Sequence, residues 1–240
     1  VFPSGSFKDR GATTTLSRAA ALGVDRIVED SSGNAGAAIA LYAARAGIPA
    51  EIFVPEAVKP AKRNAIEGTG AEVVAVPGSR AAVSEAAREA AETGTVWYAS
   101  HAWNPAFFVG TATAAYEIAV QRRFETPDAM VVPVGHGTLL LGLARGFAAL
   151  ENAGWIDRSP RLLGVQATGV APMAEAMGTD RPDASPNLLA DGIQIADPVR
   201  GDQIRQAVQD TDGDVIAIDE SATREAYHAL HRQGFYVEPT

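Results

Sequence analysis

The sequence predicts an α/β protein with parallel sheets flanked by helices. Short apolar runs alternate with longer, Ala-rich amphipathic stretches, the pattern of βαβ units. Turn signals stand where helices must stop and strands begin, at Gly47-Ile48-Pro49, Gly68-Thr69-Gly70 and Pro77-Gly78. With 240 residues, 47% of them hydrophobic, the chain suffices for one large domain or two small ones with a real core.

Taken in order, a Gly-containing turn leads into a helix over 12–22, followed by an apolar strand over 24–28. Helix 35–46 carries the Ala-rich period and stops at Gly47, strand 50–54 follows Pro49, and helix 61–68 stops at Gly68. Strand 72–76 ends before Pro77-Gly78, and helix 80–93, strand 96–99 and helix 106–123 come next. Strand 129–134, helix 139–152 and strand 161–167 repeat the alternation. Short helices near 172–177 and 202–209, strand 215–219 and helix 221–233 complete it, with a strand-like apolar run at 234–237. Pro and polar residues cluster over 178–187, the best candidate for a long loop or an interdomain crossing. No repeat or coiled-coil heptad occurs, and Val1 and Thr240 are expected to fall inside the fold, as in a chain truncated at both ends.

The formal charge of −9 repels phosphate backbones and anionic lipid, so no nucleic acid and no membrane surface is expected as a partner. The absence of cysteine excludes disulfide scaffolds, thiolate catalysis and Cys-ligated metals, and no metal is expected. No apolar run approaches the ~20 residues of a membrane span, which leads to the expectation of a cytoplasmic location. The basic residues comprise 17 Arg and three Lys: Lys8, Lys59 and Lys62. Arg is always protonated, whereas a desolvated Lys can lose its proton and act as a nucleophilic amine.

Three segments can carry chemistry. Pro3-Ser4-Gly5-Ser6-Phe7-Lys8-Asp9-Arg10-Gly11 puts Lys8 in a turn before a helix, near backbone N–H groups that favour the free base; a solvated lysine is the alternative. Ser31-Ser32-Gly33-Asn34-Ala35-Gly36 follows a strand and opens a helix, which suits either a carboxylate or phosphate cradle or an ordinary N-cap. Gly135-His136-Gly137-Thr138-Leu139-Leu140-Leu141-Gly142 is a Gly-rich cradle by the same logic. It is no dinucleotide fingerprint, since Leu140 stands at the third Gly position, and no P-loop, since it lacks Gly-Lys-Ser/Thr. His136-Gly137-Thr138 is similar to the His segment of subtilisin-like proteases, but no Gly-Thr-Ser nucleophile segment exists here.

In order and spacing, Ser4-Gly5-Ser6-Phe7-Lys8-Asp9-Arg10, Ser32-Gly33-Asn34-Ala35-Gly36, Gly135-His136-Gly137-Thr138-Leu139 and Glu238-Pro239-Thr240 resemble the tryptophan-synthase-β-like (fold type II) pyridoxal-phosphate enzymes. Asn104-Pro105 leading to Gly110-Thr111-Ala112-Thr113, and Gly164-Val165-Gln166-Ala167 leading to Ala171-Pro172, look most like threonine synthases. The resemblance implies two interleaved α/β domains, with roughly 28–125 as the small domain and the remainder as the large, cofactor-binding one. It implies that Lys8 binds pyridoxal 5'-phosphate covalently and moves the substrate Cα proton. Asn34 would bond the cofactor ring hydroxyl. Ser31, Ser32, Gly33, Asn34 and Ala35 would hold the substrate carboxylate. Gly135, His136, Gly137, Thr138 and Leu139 would hold the cofactor phosphate, and Thr240 would face the pyridine nitrogen. A neutral hydroxyl there suits β-elimination or replacement better than transamination.

Lys62 falls where threonine synthases keep a lysine for the substrate phosphate, while Phe107 stands in place of an expected arginine, so Phe107→Arg is expected to favour phosphohomoserine. His136 is expected to fill space, and His101, His228 and His231 to lie on solvated faces. The implied activity is elimination or replacement on a small amino acid, as in threonine synthase. The alternatives are a serine/threonine dehydratase or other β-eliminating lyase, and a non-catalytic pyridoxal-phosphate-binding fragment. A homodimer is a possible assembly.

Overall fold

A computed structural model describes residues 2–179 and 187–240, so most of the 178–187 loop lies outside the described residues. The chain forms two compact units, Val1–Thr111 and Ala112–Thr240.

The first unit runs α1 (Lys8–Ala21), β1 (Ile27–Glu29), α2 (Asn34–Ala46), β2 (Ala50–Pro55), α3 (Pro60–Glu67), β3 (Glu72–Val76), α4 (Arg80–Glu92) and β4 (Trp97–Tyr98). Its parallel sheet has the order β3-β2-β1-β4. Val28 and Phe53 of the sheet meet Val83 and Ala87 of α4 in a buried cluster. The chain steps from β1 to β2 to β3 on one side and then crosses back to place β4 on the other side of β1. The loops after β1 and β4 therefore diverge at the carboxyl edge of the sheet, the place where open α/β sheets bind ligands. Helix α5 (Pro105–Gln121) starts in this unit; Asn104 opens it by accepting the Ala106 N–H at 3.0 Å and donating to the Tyr98 carbonyl at 3.1 Å.

The second unit runs β5 (Ala129–Pro133), α6 (Thr138–Asn152), β6 (Arg161–Ala167), α7 (Pro172–Ala176), a 3-10 turn (Asp191–Ile193), α8 (Gly201–Asp210), β7 (Asp214–Ile218) and α9 (Glu220–Arg232). Its parallel sheet has the order β5-β6-β7. Fully buried Gln166 ties it together. Its amide nitrogen donates to the Val134 carbonyl at 3.1 Å, and its oxygen accepts the Met173 and Ala174 N–H groups that open α7.

Two local expectations are corrected. Helix α1 starts at Lys8 instead of 12, because the Ser6 hydroxyl accepts the Lys8 N–H at 3.3 Å and the buried Asp9 carboxylate takes both the Ser4 N–H (2.9 Å) and its hydroxyl (2.5 Å). Residues 234–237 form no strand. Gly234 turns the chain at φ +86° and the Phe235 N–H bonds back to the Leu230 carbonyl at 3.0 Å, a helix ending that leaves Tyr236 stacked on His231.

Candidate functional site

The first unit carries the lysine and one of the two loops. Lys8 is half-buried at the first position of α1, its Nζ 5.2 Å from the centre of the Phe7 ring. Burial pushes its ammonium down to about 8 from 10.5, against the pull of the nearby Glu29 carboxylate. Ser31, Ser32 and Gly33 form the loop after β1, the Ser31 hydroxyl accepting the Gly33 N–H at 3.2 Å. The loop folds back hard on α2, because a Cβ at Gly36 would lie 1.7 Å from the Ser31 carbonyl oxygen. The N-terminus of α2 has no side-chain cap and no acidic residue in its first turn, and Asn34 stands exposed at its start with Ala35 buried behind it. That combination suits a carboxylate. Lys62 is exposed on α3, the helix that follows the carboxyl end of β2. Its neighbour Arg63 pairs with Glu67 at 2.7 Å.

The second unit carries the other loop. Gly135 and His136 follow β5, and Gly137, at φ +72°, N-caps α6 without a side-chain bond. A Cβ at Gly137 would meet Ile204 at 2.5 Å, so glycine alone both adopts this turn and clears α8. Thr138 is buried as the first residue of α6 and Leu139 is half-buried next to it; the first turn carries no acidic residue. A Cβ at Gly135 would meet Ile193 Cα at 3.2 Å, and one at Gly192 would meet the Thr240 hydroxyl oxygen at 3.2 Å. The 3-10 turn thus brings the Gly135 loop and Thr240 to the same neighbourhood.

A set of residues that sequence reasoning passed over sits at the switch point of the first sheet. Glu29 and His101 are buried, with Glu29 Oε1 2.7 Å from His101 Nδ1 and Glu29 Oε2 accepting the His101 backbone N–H at 3.2 Å. The expected solvated His101 is corrected: it follows β4, the strand paired with β1, and is drawn in by that carboxylate. Asp30 is buried too, 2.9 Å from Arg80, and accepts the Ser84 and Ser100 hydroxyls. Two acidic residues closing an apolar strand directly before a Gly-containing loop was the available signal. Phe107, at the place expected of a phosphate-binding arginine, is fully buried against the His101 ring, their centres 6.0 Å apart.

Comparison with known proteins puts a family to this arrangement. The profile of the pyridoxal-phosphate dependent enzymes matches residues 2–240. The chain belongs to that family. Threonine synthase from Methanocaldococcus jannaschii is 33% identical over 99% of this chain and 60% of its own length, and threonine synthase from Synechocystis sp. is 34% identical over 99% and 61%. The chain thus spans about 60% of the length of these relatives. Among solved structures, a threonine deaminase from T.th. is similar with a TM-score of 0.79 at 32% identity, over 99% of this chain and 75% of that one. Maize serine racemase gives a TM-score of 0.83 at 26% identity, over 99% and 70%.

The residues fit the family's cofactor. A lysine whose amine is partly uncharged near neutrality suits an aldehyde, and an α6 N-terminus kept free of side chains by Gly135 and Gly137 suits a phosphate. Among the described residues, no helix is long and apolar enough to cross a membrane.

Proposed function

We propose that the protein is a pyridoxal-phosphate-dependent lyase acting on a small amino acid by elimination or replacement, with threonine formation from phosphohomoserine as the specific reading. The observation that carries it is Lys8: a half-buried lysine at a helix start, its amine lowered to about 8, in a chain with 17 arginines and only three lysines. Bound pyridoxal phosphate supplies an aldehyde for that amine and an electron sink for the substrate Cα.

The chain's own residues supply the rest. Lys8 binds the cofactor and moves the Cα proton at Nζ. Ser31, Ser32, Gly33, Asn34 and Ala35 hold the substrate carboxylate on the α2 N-terminus, and Asn34 also bonds the cofactor ring hydroxyl. Gly135, His136, Gly137, Thr138 and Leu139 hold the cofactor phosphate, Thr240 faces the ring nitrogen, and Lys62 binds the leaving phosphate. The same reading takes roughly 28–125 as the small domain and the remainder as the cofactor-binding domain, in a cytoplasmic homodimer.

A second reading, a serine/threonine dehydratase, draws support from buried Phe107, which offers no cation to a phosphate, and from the likeness to threonine deaminase. Borohydride reduction with cofactor and peptide mapping should place the pyridoxyl group on Lys8; an adduct on Lys59 or Lys62 overturns the assignment. A substrate panel read for phosphate and keto-acid release together separates the two activities. A cofactor spectrum without turnover marks a binding fragment.

A further inference from the structure

The roles proposed above use Lys8 and leave the residues on either side of it without a part. Those residues make three nested contacts with Phe7 at the apex: Phe2 with Arg10, Ser4 with Asp9, and Ser6 with Lys8. The centre of the Phe2 ring lies 5.0 Å from the Arg10 guanidinium carbon. The Asp9 carboxylate accepts the Ser4 N–H at 2.9 Å and the Ser4 hydroxyl at 2.5 Å, and the Ser6 hydroxyl accepts the Lys8 N–H at 3.3 Å. Residues 2–6 are thereby folded back on the first turn of α1. Gly5, at φ +80° with its N–H on the Phe2 carbonyl, supplies the bend.

Asp9 is the buried carboxylate of this set. It is 1% exposed, and a carboxylate taken out of water must recover its lost hydration from donors in the protein. In the first turn of a helix those donors are ordinarily the free N–H groups of that turn. Here the Lys8, Asp9 and Arg10 N–H groups are met without it, by the Ser6 hydroxyl, the Ser6 carbonyl at 3.2 Å and the Phe7 carbonyl at 3.0 Å. Asp9 turns to Ser4 instead, so its carboxylate fixes the loop before Lys8 and leaves the helix N-terminus to other acceptors. On the far side, the Thr13 hydroxyl donates to the Asp9 carbonyl at 2.6 Å, and the Phe107 ring lies over Gly11. The flexible lysine stem is thus held at its root, and Phe7, carried to the apex, sets its ring centre 5.2 Å from Nζ.

We propose that Asp9, through Ser4, is a positioning residue for Lys8: the clip of residues 2–10 fixes the backbone from which the amine meets the cofactor aldehyde. A covalent bond forms only when amine and aldehyde are held in reacting geometry, and a loose root multiplies the orientations the stem must search. Asp9 acts by holding that root and makes no contact of its own with the aldehyde.

Because this rests on the reading of Lys8 as anchor, the test separates capture of the aldehyde from binding of the rest of the cofactor. Two probes are used on the full chain. Pyridoxal phosphate is followed by timed borohydride trapping and peptide mapping, and pyridoxine phosphate, with an alcohol in place of the aldehyde, by equilibrium binding. Asp9→Ala is expected to slow trapping at Lys8 about tenfold or more while pyridoxine phosphate binds as in the wild type. Ser4→Ala, which removes one of the two bonds, should show a smaller loss of the same kind, and Asp9→Asn, which keeps an acceptor for the Ser4 N–H, should recover part of the rate. Val83→Ala, in the buried cluster on α4, should lower the urea midpoint without slowing the trapping. A wild type trapped at Lys8 and an Asp9→Ala chain trapped there equally fast overturn this proposal alone. So does a parallel loss for both probes, or a Val83→Ala chain slowed as much as Asp9→Ala. A wild type trapped at another lysine overturns the anchor reading and this proposal with it. Where Asp9→Ala does not fold, Ser4→Ala decides, and an unchanged rate there overturns the proposal.

Discussion

The ring of Phe107 covers Gly11 so closely that a methyl group there would lie 2.4 Å from two of its carbons. Helix α1, which carries Lys8, is seated on α5 through this contact, and through Thr14, whose hydroxyl donates to the Ala106 carbonyl at 2.7 Å. Gly11→Ala is therefore expected to destabilise the chain by about 1–3 kcal/mol through overpacking. Urea midpoints measure the loss, and cofactor labelling at Lys8 should drop with it.

Phe107→Arg should lower stability by about 3–5 kcal/mol, the cost of an unmatched buried charge. The earlier expectation of a gain in phosphohomoserine turnover fails because the side chain packs inward on His101 and Gly11. A Phe107→Arg chain as stable as wild type in urea would contradict this.

The Glu29–His101 pair opposes acid. His101 is held neutral down to about 3 in the fold against 6.5 unfolded, so its share of stability is lost as pH falls from 6.5 toward 3. Glu29, raised by burial, acts in the opposite sense and loses its share as pH rises above its unfolded 4.5, so below 4.5 the His101 loss stands alone. That acid limb approaches about 1.4 kcal/mol per pH unit. Urea series below pH 4.5 should show it flattened in Glu29→Gln/His101→Asn. Asp30, held low by Arg80, adds a further acid loss common to both proteins.

Gly36→Ala sets a Cβ against backbone that cannot swing aside, the Ser31 carbonyl at 1.7 Å. The loop at 31–33 must lift from α2, so the amino-acid KM is expected to rise about tenfold or more, with a loss of about 1–3 kcal/mol in stability. Steady-state kinetics and urea melts on one preparation check both.

Strands β3 and β6 were legible to the residue, because an apolar run bounded by turn residues carries its own limits. The alternation also fixed the parallel α/β class and placed both Gly-containing loops before helices. Lys8 was legible as chemistry but misplaced as structure, since the Ser6 and Asp9 contacts that start α1 early leave no periodic trace. His101 was misread as solvated because its partner Glu29 lies 72 residues away and only the β1–β4 pairing joins them. Phe107 was misread for a related reason: its residue type was set by the core around Gly11, while its sequence position suggested a ligand contact.

The approach of Gly192 to both Gly135 and Thr240 ties the shape of the Gly135 loop to residues far along the second unit. Closing such contacts costs loop entropy that grows with the sequence separation of the points joined. The segment proposed to grip the phosphate is therefore not set by the β5–α6 turn alone, and a substitution at Gly192 reaches it through packing without touching any residue of that turn.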